Sequence, residues 1–131
     1  MMSNRVYRDR REAGQFLATK LEDYANRDDV IVLGLARGGL PVAFEVALAL
    51  NAALDVFVVR KLGVPTHREL AMGAIASGGK HVLNLDVIQQ VKISKEALAE
   101  VVAKEHDDLT RRERMYREGR DALPMNDKIV V

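Results

Sequence analysis

Between Asp9 and Tyr24 the apolar residues recur at helical spacing, with Phe16, Leu17, Leu21 and Tyr24 on one face. Asp9 followed by Glu12 has the D-x-x-E form of a capping box and predicts the helix start. NRDD at 26–29 breaks the pattern, and the β-branched run Val30–Leu35 reads as a buried strand. After ARGGL comes Pro41, suited to a first helical turn, where its missing N–H has no use. The chain is then apolar nearly all round to about Leu50, as in a helix packed on a sheet. LDVFVV, 54–59, is a second buried run. Strand, helix and strand in this order predict a βαβ unit with parallel strands and a right-handed crossover.

RKLGVPTHRELAMG carries Gly63, Pro65 and Gly73 without periodicity and is expected to be a long loop. AIAS and KHVLN flank Gly78-Gly79, a β-hairpin signature. A short helix is expected over 86–91. Ser94 caps a longer one reaching about Glu118, with Gly119 as its stop signal. Leu98, Val101, Val102 and Leu109 form its core stripe, and Glu100–Lys104, Asp107–Arg111 and Asp108–Arg112 are spaced for ion pairs. Asp127-Lys128 then leads into Ile129–Val131, which reads as the opening of another buried strand. The expected fold class is α/β, a single domain over 1–131 with a parallel core, a flexible loop and a β-hairpin.

Composition narrows the function classes. With 131 residues, 48% hydrophobic and 30% charged, the chain suits one globular domain. A net charge of +1 gives no bulk pull toward nucleic acid or an acidic membrane. The lack of cysteine excludes disulfides, thiolate catalysis and Cys-based zinc sites. No apolar run is long enough for a membrane span, and MMSNRVYRDRREAG has no apolar run of a secretory signal, so a cytoplasmic protein is expected. Three Phe, three Tyr and no Trp leave little for base stacking. The arginines at 111, 112, 114, 117 and 120 read as a solvated helix end rather than a nucleic-acid surface.

Candidate chemistry lies at the strand ends, since open parallel sheets bind ligands outside their carboxyl edge. Arg37, Gly38 and Gly39 follow the first strand and precede a helix, an arrangement that can present backbone N–H groups to an anion such as a phosphate. The structural alternative is a tight turn that needs glycine only for positive φ. Arg60 and Lys61 follow the second apolar run and would face the same anion, or else form a solvated strand terminus. His67 and Glu69 lie at the tip of the expected loop, which could close over a ligand as a lid or be an ordinary mobile loop. His81 and His106 have no ligand spacing with a carboxylate, so no metal is assigned. Neither a G-x-G-x-x-G nor a Walker loop is present.

RDRREAG, LGLARGGLPVAFEVA, LDVFVVRKLGVP and ELAMGAIASGG, in this order, resemble the first two-thirds of a type I phosphoribosyltransferase, closest to a stand-alone bacterial branch. The resemblance implies a parallel α/β core with a hood loop, binding phosphoribosyl pyrophosphate (PRPP) with Mg2+. It implies displacement of pyrophosphate from the ribose C1 by a nitrogen nucleophile, commonly a nucleobase. It casts Arg37, Gly38 and Gly39 as the pyrophosphate loop, Arg60 and Lys61 as the basic pair on the same group, and 63–79 as the flexible loop and its hairpin. The family also implies a homodimer, and the strand at Ile129–Val131, expected to be a free edge, predicts self-association. The family's acidic pair and Gly/Thr-rich loop, which hold the ribose 5-phosphate, would follow the strand that opens at Lys128, and these 131 residues do not contain them. The expectation is a truncated family member, inactive alone. The alternatives are a non-catalytic regulator that binds PRPP, a nucleotide or pyrophosphate, and an RNA-binding regulator on the same fold. The acceptor base is not legible.

Overall fold

A computed structural model describes residues 5–131. These residues divide into two compact units, one formed by the chain up to Val56 together with Asp121–Val131, the other by Phe57–Arg120.

In the first unit, helix α1 spans Arg10–Thr19, strand β1 Val30–Leu35, helix α2 Gly39–Leu50 and strand β2 Ala53–Phe57, and the short strand β6 spans Ile129–Val130. They build a three-stranded parallel sheet in the order β2-β1-β6, with Val30 opposite Ile129 and Ile31 opposite Val130. β1 matches the expected run at both ends. The second apolar run does not continue to Val59: β2 closes at Phe57, and Val59 opens a strand of another sheet.

The α1 start forms as expected, Asp9 Oδ1 accepting from Glu12 N at 2.8 Å. The Glu12 carboxylate reaches one residue past the cap, to Arg8 N. The face of α1 that packs is smaller than the apolar stripe suggested. Gly14 and Ala18 are its buried residues, whereas Leu17 stays 43% exposed and Tyr24 lies in a separate 3-10 turn, Glu22–Tyr24. Glycine is required at position 14 by proximity, since a Cβ there would stand 2.6 Å from Val42 O and 2.8 Å from Glu45 Cβ. Ala18, Val32, Ala43, Val46, Ala47 and Leu50 form the core of this unit, sealed by Leu21, Leu54 and Val131. Glu45, buried on α2, is neutralised by Arg11 of α1 at 3.0 Å.

In the second unit the expected loop is instead a strand pair. β3 (Val59–Val64) runs antiparallel to β4 (His67–Ala76), joined at Pro65-Thr66, and β5 (Lys80–Leu83) adds to β4. Leu62, Val64, Met72 and Ile75 are buried; Leu62 and Val64 keep the strand alternation, which the glycines and the proline hide in the sequence, whereas Met72 and Ile75 are three apart. A register shift at Gly63 lets the strand keep its glycine, whose Cβ would lie 2.8 Å from Arg68 O. The Gly78-Gly79 hairpin turn is as expected, both residues having positive φ. Helices α3 (Leu85–Gln90) and α4 (Lys95–Arg117) follow, capped by Asn84 and Ser94. Helix α4 lies against β3 and β4, with Leu109 as its buried residue. No helix among the described residues is long and apolar enough to cross a membrane.

Candidate functional site

The turn Ala36–Gly38 leads from the central strand of the parallel sheet directly into α2. The Ala36–Arg37 peptide bond is cis, and Leu40 N donates to Arg37 O at 3.2 Å. Helix α2 starts at Gly39, two residues before Pro41, which still falls in the first turn, where N–H groups have no intrahelical acceptor. Asp9, Asn84 and Ser94 cap the other three α-helices with side-chain oxygens, but Gly38 gives α2 no such cap, and its first turn carries no acidic residue. Gly38 and Gly39 both avoid positive φ, so these glycines do not serve handedness. They serve space: a Cβ on Gly39 would press on Leu35 at 3.3 Å, and one on Gly38 would meet the Arg10 guanidinium. Arg37 is exposed and has no ion-pair partner among the described residues. The turn thus offers an exposed guanidinium and the N–H groups of Gly38 and Gly39, which have no acceptor among the described residues, at the positive end of a helix dipole.

Arg60 and Lys61 are placed differently from expectation. They lie inside β3, in the antiparallel sheet of the second unit, and not at the carboxyl end of β2. Arg60 is held by carboxylates of its own unit, with Nε 2.9 Å from Glu105 Oε2 and Nη2 2.9 Å from Asp108 Oδ2. Lys61 is exposed and lines a cleft of about 460 Å³, with Arg68 on the hairpin and Glu100, Lys104 and Glu105 on α4. His67 and Glu69 sit exposed on the first residues of β4, and His67 Nδ1 is 3.1 Å from Thr66 Oγ1. The involvement of Arg68, Glu105 and Asp108 was not read from the sequence, because it follows from α4 lying along the hairpin, a long-range placement no local spacing encodes.

Three arginines of α4 have acidic partners, with one exchange against the expected pairs. Arg111 pairs with Asp108, three residues back, rather than Asp107, while Arg112 joins Asp108 and Arg117 joins Glu113. No ion pair joins Glu100 and Lys104 among the described residues, although both line the cleft. Among the described residues, no three His, Cys, Asp or Glu side chains are grouped to hold a metal ion.

A three-stranded parallel sheet with a helix-leading arginine–glycine turn after its central strand, and an antiparallel hairpin unit, define a mixed α/β protein. No known family profile matches the chain. Two Mycobacterium tuberculosis proteins, from strains CDC 1551 / Oshkosh and H37Rv, each bear the name "Putative phosphoribosyl transferase". Each is 47% identical over 97% of this chain. The chain spans 28% of the length of these curated relatives. The crystal structure of TT1426 from Thermus thermophilus superposes with a TM-score of 0.67 and 38% identity, over 90% of this chain and 56% of that one. A purine phosphoribosyltransferase from Pyrococcus horikoshii aligns over 57% of this chain and 41% of its own with a TM-score of 0.33, too partial to bear on the fold. Over nearly its whole length the chain is thus similar to proteins named as putative phosphoribosyl transferases.

Proposed function

We propose that this chain supplies the pyrophosphate-binding part of a phosphoribosyltransferase that transfers ribose 5-phosphate from PRPP to a nitrogen nucleophile, a nucleobase being the expected acceptor. The turn at Ala36–Gly39 carries this reading: an exposed Arg37, two glycines and an uncapped helix start, all without an acidic neighbour in the first turn. In such a reaction the protein must neutralise the leaving diphosphate and hold it in line with the nucleophile. Arg37 and the N–H groups of the turn would take that charge. Lys61, exposed in the second unit, is the more available member of the basic pair, since Arg60 is already engaged by Glu105 and Asp108. His67 and Glu69, exposed on the first residues of β4, are the candidate catalytic groups of the second unit. Magnesium would enter bound to the oxygens of PRPP itself, because the described residues offer no carboxylate cluster for it. A cytoplasmic homodimer is proposed from the family alone.

The 131 residues contain no acidic pair followed by a Gly/Thr-rich loop, so nothing in them is assigned to the ribose 5-phosphate. The expected outcome is measurable pyrophosphate binding by the purified chain, weakened by Arg37→Ala, with no phosphoribosyl transfer. Calorimetric titration with pyrophosphate tests the first, and release of pyrophosphate from PRPP in the presence of nucleobases tests the second. Transfer by this chain would overturn its assigned inactivity, and absence of binding would overturn the loop assignment.

A further inference from the structure

Three arginines lie at the start of α1, Arg8 before its cap and Arg10 and Arg11 in its first turn, and they are not disposed alike. Arg8 pairs with Glu12, and Arg11 reaches the buried Glu45 at 3.0 Å. Arg10, the first residue of α1, has no hydrogen-bond or ion-pair partner among the described residues. Its guanidinium lies instead over Gly38: a Cβ built there would be 3.3 Å from Nε and 3.4 Å from Nη2. Gly38 has φ −65° and ψ −26°, a conformation any residue adopts, so backbone handedness does not require glycine, and a side chain there would make the guanidinium give by a few tenths of an ångström. The neighbouring Arg37 is likewise without a carboxylate. Two unpaired cations brought to one turn repel each other, and a bound anion of two or more charges reverses the sign of that interaction.

We propose that Arg10 is a further substrate-binding residue, a second guanidinium for the diphosphate at the Ala36–Gly39 turn. This rests on the loop reading above. Arg10 and Arg37 approach the anion from different elements, α1 and the β1–α2 turn, so the approach of Gly14 to α2 also sets the position of Arg10. The planar fork of arginine suits two oxygens of one phosphoryl group, which a lysine could meet only as a point charge.

The test is calorimetric titration of the 131-residue chain with sodium pyrophosphate, using the unaltered protein, Arg10→Ala, Arg10→Lys, Gly38→Ala and, as a control, Arg8→Ala. Arg10→Ala is expected to weaken binding about ten-fold, the size of one charge-assisted contact at an exposed site. Arg10→Lys should recover part of that loss. Gly38→Ala, which crowds the guanidinium, should fall between, and Arg8→Ala should stay within about two-fold. The melting temperatures of the Arg10 variants should match that of the unaltered chain, whereas a merely structural Arg10 would lower them without a selective effect on affinity. Binding by Arg10→Ala as tight as by the unaltered chain overturns the role of Arg10 and leaves the loop reading standing. No binding by the unaltered chain overturns both.

Discussion

Asp108 gathers three arginines on one carboxylate: Arg111 on Oδ1 at 2.6 Å, and Arg112 and Arg60 on Oδ2 at 3.2 and 2.9 Å. The hydrogen bond from Arg112, with the charge of Arg60 and the contact from Arg111 adding to it, holds this carboxyl below the ordinary aspartate value of 3.8. A depressed carboxyl binds protons less readily folded than unfolded. Its contribution to stability is therefore complete above the ordinary value and lost as pH falls through the depressed one. The Asp108→Asn variant should melt below the unaltered protein at neutral pH, and the gap should narrow as the pH is taken below the ordinary aspartate value of 3.8. A gap that is constant over that range would contradict the assignment. The sequence showed Asp107 and Asp108 as equal candidates for the arginines one turn on. Arg60, arriving from β3, drew Asp108 into a network and Arg111 with it, and that choice is not local.

At the scale of elements, α1 and α2 meet through Gly14 and Ala18, where glycine lets one backbone approach the other. Gly14→Ala sets two effects against each other. A better helix former contributes about 1 kcal/mol, while a Cβ 2.6 Å from a backbone oxygen costs about 1–3 kcal/mol in displaced packing. Because the close atoms are the Val42 backbone and a Cβ rather than a flexible tip, the cost should win. Urea unfolding is expected to give a net loss of about 1 kcal/mol, and a gain would mean that the helices separate freely. The same property of glycine explains the misread hairpin. Gly63 and Gly73 look like loop punctuation, yet a Cβ at either would run into the backbone of the neighbouring strand, Arg68 in one case and Val82 in the other. They mark close approach within a sheet, a reading available only once the partner strand is known.

For the whole molecule, the chain leaves the first unit after Val56 and returns to it at Asp121. The return is tied by Asp55, buried on β2, whose Oδ2 accepts from Leu123 N at 3.0 Å while Oδ1 accepts from Val56 N at 2.8 Å. Asp55→Ala removes both acceptors and should cost about 1–3 kcal/mol. Hydrogen exchange at Ile129–Val131 should accelerate while Leu62 and Met72 keep their protection, and an unaltered rate at β6 would show that Asp55 does not tether the return. The curated relatives, of which this chain spans 28%, carry most of their length outside the part described by these two units. What the sequence determined by itself was local: the capped start of α1, the run of β1, the hairpin glycines, the Ser94 cap, and the arginine–glycine turn with the family it resembles. Each depends on neighbours within a few residues, where capping, φ preference and periodicity act. Tertiary structure alone decided that Arg60 would be bound by α4, that Gly38 would make room for Arg10, and that an irregular stretch would become two strands. Those outcomes arise from which backbones come close, and closeness between distant segments leaves no periodic trace in the chain.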